Sequence, residues 1–348
     1  MALLGIDFFC GCGGTTRGFL DSGIKVVKGI DSDGRCKETF EHNNSPAIFE
    51  CNDVYAITSE HVLKNISLEP GDHLLLSGCA PCQPFSQQNR KRDNDGRRAL
   101  LLQFGRFVED IRPSFVFVEN VPGIQRVTGN SAFRRFLKLL DDAGYEYDYD
   151  IVDAKDYGVP QSRARLILVA SRLGPIRLPQ KTHGTGASLL PYNTVGSAIK
   201  KYPPLLAGET HAWVPNHVAS SISPRNLERL QYTPPDGGGR AHWPRHMWLE
   251  CHKDQESHSD VYGRMFWDRP APALTCRCTS ISNGRYGHPD QDRAISVREA
   301  AALQTFPETF LFFGAKKNIS SQIGNAVPVL IAKLFGKHFL SHLSGALD

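Results

Sequence analysis

The stretch GCAPCQPFS, residues 78–86, sets Cys79 and Cys82 three positions apart among Gly78, Pro81 and Pro84. A cysteine held this stiffly after the apolar run HLLLSG can be one of a redox pair, half of a metal site, or a nucleophile on a rigid turn. A thiol is the most nucleophilic neutral side chain, yet at its free pKa of about 8.5 only a few per cent is thiolate at neutral pH. The basic run NRKRDNDGRR (89–98) and a following helix N-terminus would raise that fraction. Taken alone, the same run also reads as a solvated surface turn or a phosphate-binding loop. A second reactive type follows in SFVFVENV (114–121), where Glu119 closes an apolar run and is costly to bury unless paired or employed. Thiolate and carboxylate facing one pocket suit attack on an electron-poor ring whose nitrogen is held protonated. In VPQSRARLI (159–167), Gln161, Arg163 and Arg165 alternate, so all three can share one strand face. Arginine there could hold a carbonyl oxygen or a phosphate, or simply protect a sheet edge.

A glycine-rich stretch, DFFCGCGGTTRGF (7–19), leads from an apolar run into a helical one. Gly11, Gly13 and Gly14 permit a tight turn and close backbone approach to a ligand. The dinucleotide spacing G-x-G-x-x-G is absent, because the third position after Gly13 is Thr16. Asp31 closes KVVKGID, where an acid can bond ribose hydroxyls, and Asp53 in ECNDV can bond the amino group of an adenine. Two acids at successive strand ends after a glycine turn point to an adenosine-containing cofactor that needs no pyrophosphate.

These residues require a scaffold. With 348 residues, 41% hydrophobic and 22% charged, the chain can build a large domain and a smaller one around sizeable cores. No apolar run approaches the roughly 18 residues of a membrane span, and MALLGIDFFCGCGG lacks a signal-peptide pattern. A cytoplasmic enzyme is expected. Nine cysteines, an odd number, argue against a disulfide scaffold. The pairs at 10/12 and 276/278 are too close for zinc, and Cys79/Cys82 has no second pair, so no metal is expected. Strand-like runs (ALLGIDFF, KVVKGID, AIFEC, HLLLSG, SFVFVEN, RLILVAS) alternate with helical ones up to SAFRRFLKLLDDAG, where Phe133, Phe136, Leu137 and Leu140 recur at helical spacing and Gly144 marks the stop. The alternation predicts an α/β fold with a doubly wound sheet. Beyond Gly174 the texture turns rich in Pro, Gly, His and Trp. Amphipathic helices return in SVREAAALQTF and VPVLIAKLFGKHFLSHL, and the last should rejoin the first domain. The expected division is 1–178 with 318–348 as one domain and 179–317 as the other.

The motifs DFFCGCGG, the acid after the second strand, GCAPCQPFS, FVFVENV, QSRAR, RPAPALT, REAAALQTFP and QIGNAVP stand in the family order of the cytosine-5 DNA methyltransferases of bacterial restriction-modification systems. The chain resembles that family over nearly its whole length. The resemblance implies a Rossmann-like domain using S-adenosylmethionine, with S-adenosylhomocysteine as product, and a smaller irregular target-recognition domain. It implies that Cys82 adds to carbon 6 of a flipped cytosine, that Glu119 bonds ring nitrogen 3 and the amino group, and that Arg165, supported by Arg163, holds the ring carbonyl oxygen. Phe9, Gly11, Gly14, Asp31, Asp53, Pro81, Leu100 and Asn325 align with cofactor positions. Ser86 and Arg97, on a loop closing over DNA, and Gln161 and Arg277 align with DNA contacts, although Arg277 could instead pair with a local acid. Implied partners are double-stranded DNA and a restriction endonuclease of the same system; a monomer is expected. Three residues depart from the family pattern: Cys79 replaces a bulky apolar residue, Asp31 a commoner Glu, and Ser32 an aromatic over the adenine, a role Ile30 or Ile57 could take. The related tRNA-methylating branch carries a Cys-Phe-Thr element that is absent here. The sequence also admits a Cys-x-x-Cys redox protein and a DNA-binding relative without catalysis.

Overall fold

The computed structural model describes residues 1–80, 100–126, 131–250 and 260–345. Their regular elements, in chain order, are β1 (Leu3–Phe8), α1 (Gly14–Ser22), β2 (Lys25–Asp31), α2 (Lys37–Asn43), β3 (Ile48–Cys51), α3 (Ser59–Leu63), β4 (His73–Gly78), α4 (Leu100–Ile111), β5 (Phe115–Asn120), α5 (Ala132–Asp142), β6 (Glu146–Asp153), β7 (Gln161–Ser162), β8 (Ala164–Ser171), α6 (Val195–Ile199), α7 (Pro224–Gln231), β9 (Ala271–Pro272), α8 (Val297–Leu303), α9 (Lys316–Asn325) and α10 (Val329–Leu343). The chain forms two compact units. The first is Met1–Asp153, Ala164–Lys181 and Val327–Asp348; the second is Ala154–Arg163 and Thr182–Ala326.

In the first unit, seven strands among the described residues form one sheet in the order β3-β2-β1-β4-β5-β8-β6. β1 to β5 are parallel, whereas β8 runs antiparallel to both β5 and β6. Every residue of β1 and β5 is buried, as expected of strands covered by helices on both faces. On one face, Phe8 packs its ring 5.4 Å from Phe104 and 4.9 Å from Phe107 of α4. On the other, Phe115 and Phe117 meet Phe339 and Phe335 of α10. α5 forms over the expected stretch: Ser131 caps it by accepting the Arg134 N–H, Phe133, Phe136 and Leu140 are buried, and Gly144 follows with φ 76°. α10 lies so close to α1 that a Cβ on Gly18 would come within 2.4 Å of the Val329 carbonyl oxygen. Only glycine admits that approach.

β6 lies outside the strands expected from apolar runs. Its sequence, EYDYDIVD, is mostly half-buried or exposed, because it is the sheet's edge.

The second unit is mostly irregular. A small cluster of Leu230, Trp243, Met247, Tyr262, Ile281 and Ala294 forms an apolar core there. The two units divide elsewhere than the sequence texture suggests: 154–163 and 318–326 both cluster with the second. The reason is pairing, since β7 is bonded to β9 and α9 packs on α8. Among the described residues, no helix is long and apolar enough to cross a membrane.

Candidate active site

The strand order reverses between β1 and β4: β2 and β3 lie to one side and β5 to the other. Ligands of open α/β sheets bind beyond the carboxyl ends of strands at such a switch point. Here those ends are residues 9–14 after β1, Asp31 at the end of β2, 79–80 after β4 and Glu119 in β5. Phe9 leaves β1 with φ 59°, a left-handed conformation that costs a bulky side chain of order 1–3 kcal/mol and collects at functional sites. Its N–H is held at 2.7 Å by the Ile30 carbonyl. Gly11 follows with φ 51°, and a Cβ built on it would meet nothing within 4 Å. The Asp31 carboxylate accepts the Gly11 N–H at 2.9 Å through one oxygen and the Asp33 N–H at 2.8 Å through the other. Burial raises the Asp31 carboxyl above its usual range, and these two backbone bonds oppose the rise. α1 then begins at Gly14 after Gly13, an N-cap residue with no side chain to cap it, and the Thr16 N–H of its first turn is taken by the buried Asp7 carboxylate. Asp53 is exposed and accepts the Tyr55 N–H, and Leu100 is half-buried at the start of α4. The open space beside Gly11 fits the adenosine-bearing cofactor expected from the sequence. Ile30 is fully buried in the core, so it offers no face for a ring to stack on.

At the neighbouring exits, β4 pairs with β5 in register up to Gly78 opposite Val118. Cys79 and Glu119 are therefore next to one another, and Asn120 donates through Nδ2 to the Ala80 carbonyl at 3.4 Å. Glu119 is 8% exposed. Its Oε1 lies 3.1 Å from Nε of Arg165, which extends from the start of β8. The N–H is not aligned on that oxygen, and Oε1 is buried without a hydrogen bond among the described residues. A carboxylate so placed is charge-compensated yet retains acceptor capacity. The Cys79 thiol is pushed well above its ordinary range by burial and by the carboxylates of Glu119 and Asp7, with a weak contact to Thr15 Oγ1 at 3.7 Å. It stays protonated, which suits packing and disfavours a redox pair. Cys82, Pro81, Ser86 and Arg97 lie outside the described residues.

Gln161 and Arg163 do not lie in one strand with Arg165, because β7 ends at Ser162 and β8 begins at Ala164. The expectation of Gln161 as a DNA contact is corrected. Its side chain is completely buried, donating to the Leu303 carbonyl and Gln304 Oε1 and accepting the Leu274 N–H. Arg163 is buried too, donating to the carbonyls of Leu274 at 2.8 Å and Gly324 at 3.2 Å, a backbone-positioning role. Asn325 ends α9, exposed, with Oδ1 accepting from Cys276 at 2.9 Å. Arg277 is exposed and has no side-chain ion pair among the described residues.

The family model for C-5 cytosine-specific DNA methylase matches residues 3–341. The chain belongs to this family. It is 39% identical over 98% of its length to the Type II methylase M.HgiDII of Herpetosiphon aurantiacus, covering 96% of that protein. It is 30% identical to the Type II methyltransferase M1.HphI of Haemophilus parahaemolyticus, over 98% of this chain and 87% of that one. A solved structure described as a DNA modification methyltransferase of an E. coli prophage superposes with a TM-score of 0.75 at 21% identity, covering 99% of this chain and 100% of that one. The Dnmt2 of Spodoptera frugiperda superposes at 0.65 with 16% identity, covering 98% and 100%, and shares the fold. C-5 cytosine methylases generally use S-adenosylmethionine.

One residue of this methylase escaped sequence reasoning. Asp7 lies inside β1, fully buried, and accepts Thr16 Oγ1 from α1 at 2.7 Å and Ser77 Oγ from β4 at 2.6 Å. Burial raises its pKa to about 6 against those bonds. It ties together the three elements from which the glycine turn and the Cys79 exit emerge. The available signal was an acid in the middle of an apolar strand. Among the described residues, no group of three or more His, Cys, Asp or Glu could hold a metal ion.

Proposed function

We propose that this methylase transfers a methyl group from S-adenosylmethionine to carbon 5 of a cytosine extruded from duplex DNA, within a restriction-modification system like those of its Type II relatives. The observation that carries the reading is Glu119: a buried carboxylate beside the exit of β4, backed by Arg165, with one oxygen lacking a hydrogen bond among the described residues. A cytosine whose ring nitrogen 3 is protonated, with its exocyclic amino group, presents the donors such an oxygen lacks. Cys82, three residues beyond the Cys79 that flanks Glu119, is the nucleophile. Its thiolate sulfur bonds to ring carbon 6, the ring electrons shift towards carbon 5, and Glu119 holds a proton on nitrogen 3 that neutralises the negative charge developing there. Arg165 serves the ring carbonyl oxygen, and Arg163 supports from the backbone. Loss of the carbon 5 proton and expulsion of the sulfur restore the aromatic ring and the free thiolate. Because a stacked duplex hides carbon 6, the base must leave the helix first. S-adenosylmethionine, when bound, supplies an electrophilic methyl on its sulfonium. Phe9, Gly11 and Gly14 would hold it, with Asp31 fixing the turn and Asp53, Pro81, Leu100 and Asn325 as further contacts. Ser86, Arg97 and Arg277 would meet DNA phosphate or base edges.

Bisulfite sequencing of a plasmid from cells expressing the protein tests this directly. Protected cytosines at one short sequence, lost with Cys82→Ser, are expected. Methyl transfer to transfer-RNA in preference to duplex DNA, or a Cys82→Ser variant with wild-type rate, overturns it.

A further inference from the structure

The second unit presents one tryptophan unlike the rest. Trp213 is 88% exposed at the tip of a hairpin. Glu209 and Ala219 pair by an N–H···O bond of 2.9 Å, Thr210 bridges Val218, and the His211 N–H bonds the His217 carbonyl at 2.9 Å. The tip, 212–216, is fixed from below. His211 Nδ1 accepts the N–H groups of both Trp213 and Val214. Asn216, at φ 57°, exchanges two hydrogen bonds with the Phe312 backbone, and Arg298 donates to the Pro215 carbonyl at 2.9 Å. His217, completely buried, is held between Ser296 Oγ and the Pro203 carbonyl, each at 2.8 Å. The other three indoles all have their N–H bonded: Trp243 to Thr233 Oγ1, Trp248 to the Trp243 carbonyl and Trp267 to Asp290. Among the described residues, the Trp213 ring has no such partner. Leu206, 78% exposed, precedes the same hairpin.

A large apolar ring at the end of an ordered backbone, in water, is built for a partner: the backbone is already fixed, so contact costs only the ordering of two side-chain torsions. We infer that Trp213 is a base-stacking contact of this methylase, lying against a nucleobase face of the bound duplex. This rests on the proposed extrusion of a cytosine, which interrupts stacking and leaves base faces that an apolar side chain can cover. Charge favours nucleic acid over protein as the occupant. Exposed Lys316 lies against the hairpin, donating to the Ala219 carbonyl, and Lys317 beside it is exposed as well. The hairpin's own acid, Glu209, is turned back to accept the Leu206 N–H.

The experiment compares the wild type with Trp213→Ala and Trp213→Phe. It measures binding to a methylatable duplex across a salt series, KM for DNA and for S-adenosylmethionine, and thermal midpoint. Trp213→Ala should weaken duplex binding and raise KM for DNA about 10-fold, as removal of one stacked base contact does. Trp213→Phe should recover most of the loss. The slope of affinity against salt should not change, because an indole releases no counterions. KM for S-adenosylmethionine and the thermal midpoint should stay as in the wild type. If Trp213→Ala binds duplex as the wild type does while the wild type methylates it, this inference is wrong and the proposed function stands. If the wild type methylates no duplex cytosine, both fall. Self-association of the wild type without DNA that disappears in Trp213→Ala would make the tip a protein contact and overturn the assignment.

Discussion

The two units bury different things. The first covers a mostly parallel sheet with helices, so its backbone groups satisfy one another and its interior is filled by Leu, Ile, Val and Phe. The second has little regular structure, so many carbonyls lack strand or helix partners, and buried guanidinium groups serve them. Arg264 donates to the carbonyls of Leu230, Thr233, His288 and Gln291 and pairs with Asp292. Arg298 bonds the carbonyls of Pro215, Pro307 and Phe310. Arg293 makes a two-pronged pair with Glu299, both contacts at 2.7 Å, and Glu299 in turn closes the capping box of α8. An irregular unit can thus be as well ordered as a sheet if five-donor side chains replace the missing ladders.

The largest test of that contrast is Arg264→Leu. It strands four carbonyls and an acid, and should destabilise the second unit by about 3–5 kcal/mol. Amide hydrogen exchange should localise the loss there, leaving β1 and β5 protected; a loss below about 1 kcal/mol would break the comparison. Next, Glu119→Gln should lower the methyl-transfer rate about 10²–10³-fold while leaving the thermal midpoint within a few degrees, since chemistry is assigned to the strand ends of the first unit. An unchanged rate would remove Glu119 from the reaction.

The units should also answer acid in opposite directions. Asp7 holds its proton up to about pH 6 when folded, against 3.8 ordinarily, so between these values the folded state binds more protons. The first unit therefore gains up to about 3 kcal/mol as pH falls from 6 to 4. His288, pushed down to about 4 by burial, binds fewer protons folded than unfolded below its ordinary 6.5. The second unit loses about as much over pH 6.5 to 4. Unit-resolved hydrogen exchange at pH 7 and 5 checks both signs, and Asp7→Asn and His288→Gln should each flatten one slope. The smallest effect expected is that of Cys79→Ala: methyl transfer within about twofold and less than about 1 kcal/mol of stability. Abolished activity would restore a redox role for the cysteine pair.

Residues whose surroundings are local were legible. Phe133, Phe136 and Leu140 announce their helix by spacing, and Gly11 announces its turn by lacking a side chain. β6 escaped because an edge strand carries Glu146, Asp148 and Asp150 outward and shows no continuous apolar run. Gln161 was misplaced because alternation states a period, not which unit the chain occupies, and the chain changes unit between Arg163 and Ala164. Asp7 was overlooked because one acid in an apolar strand has meaning only when Thr16 and Ser77 are seen to meet it.

The alternation of apolar strands and amphipathic helices, the glycine turn and the acids at strand ends follow from residue order alone, since each depends on neighbours a few positions away. Strand order does not. That Gly78 lies opposite Val118, that Arg165 reaches Glu119 and that Arg264 collects carbonyls from two distant segments were decided by non-local burial, because the hydrogen-bonding groups involved are separated by tens of residues and find partners only when the whole interior closes.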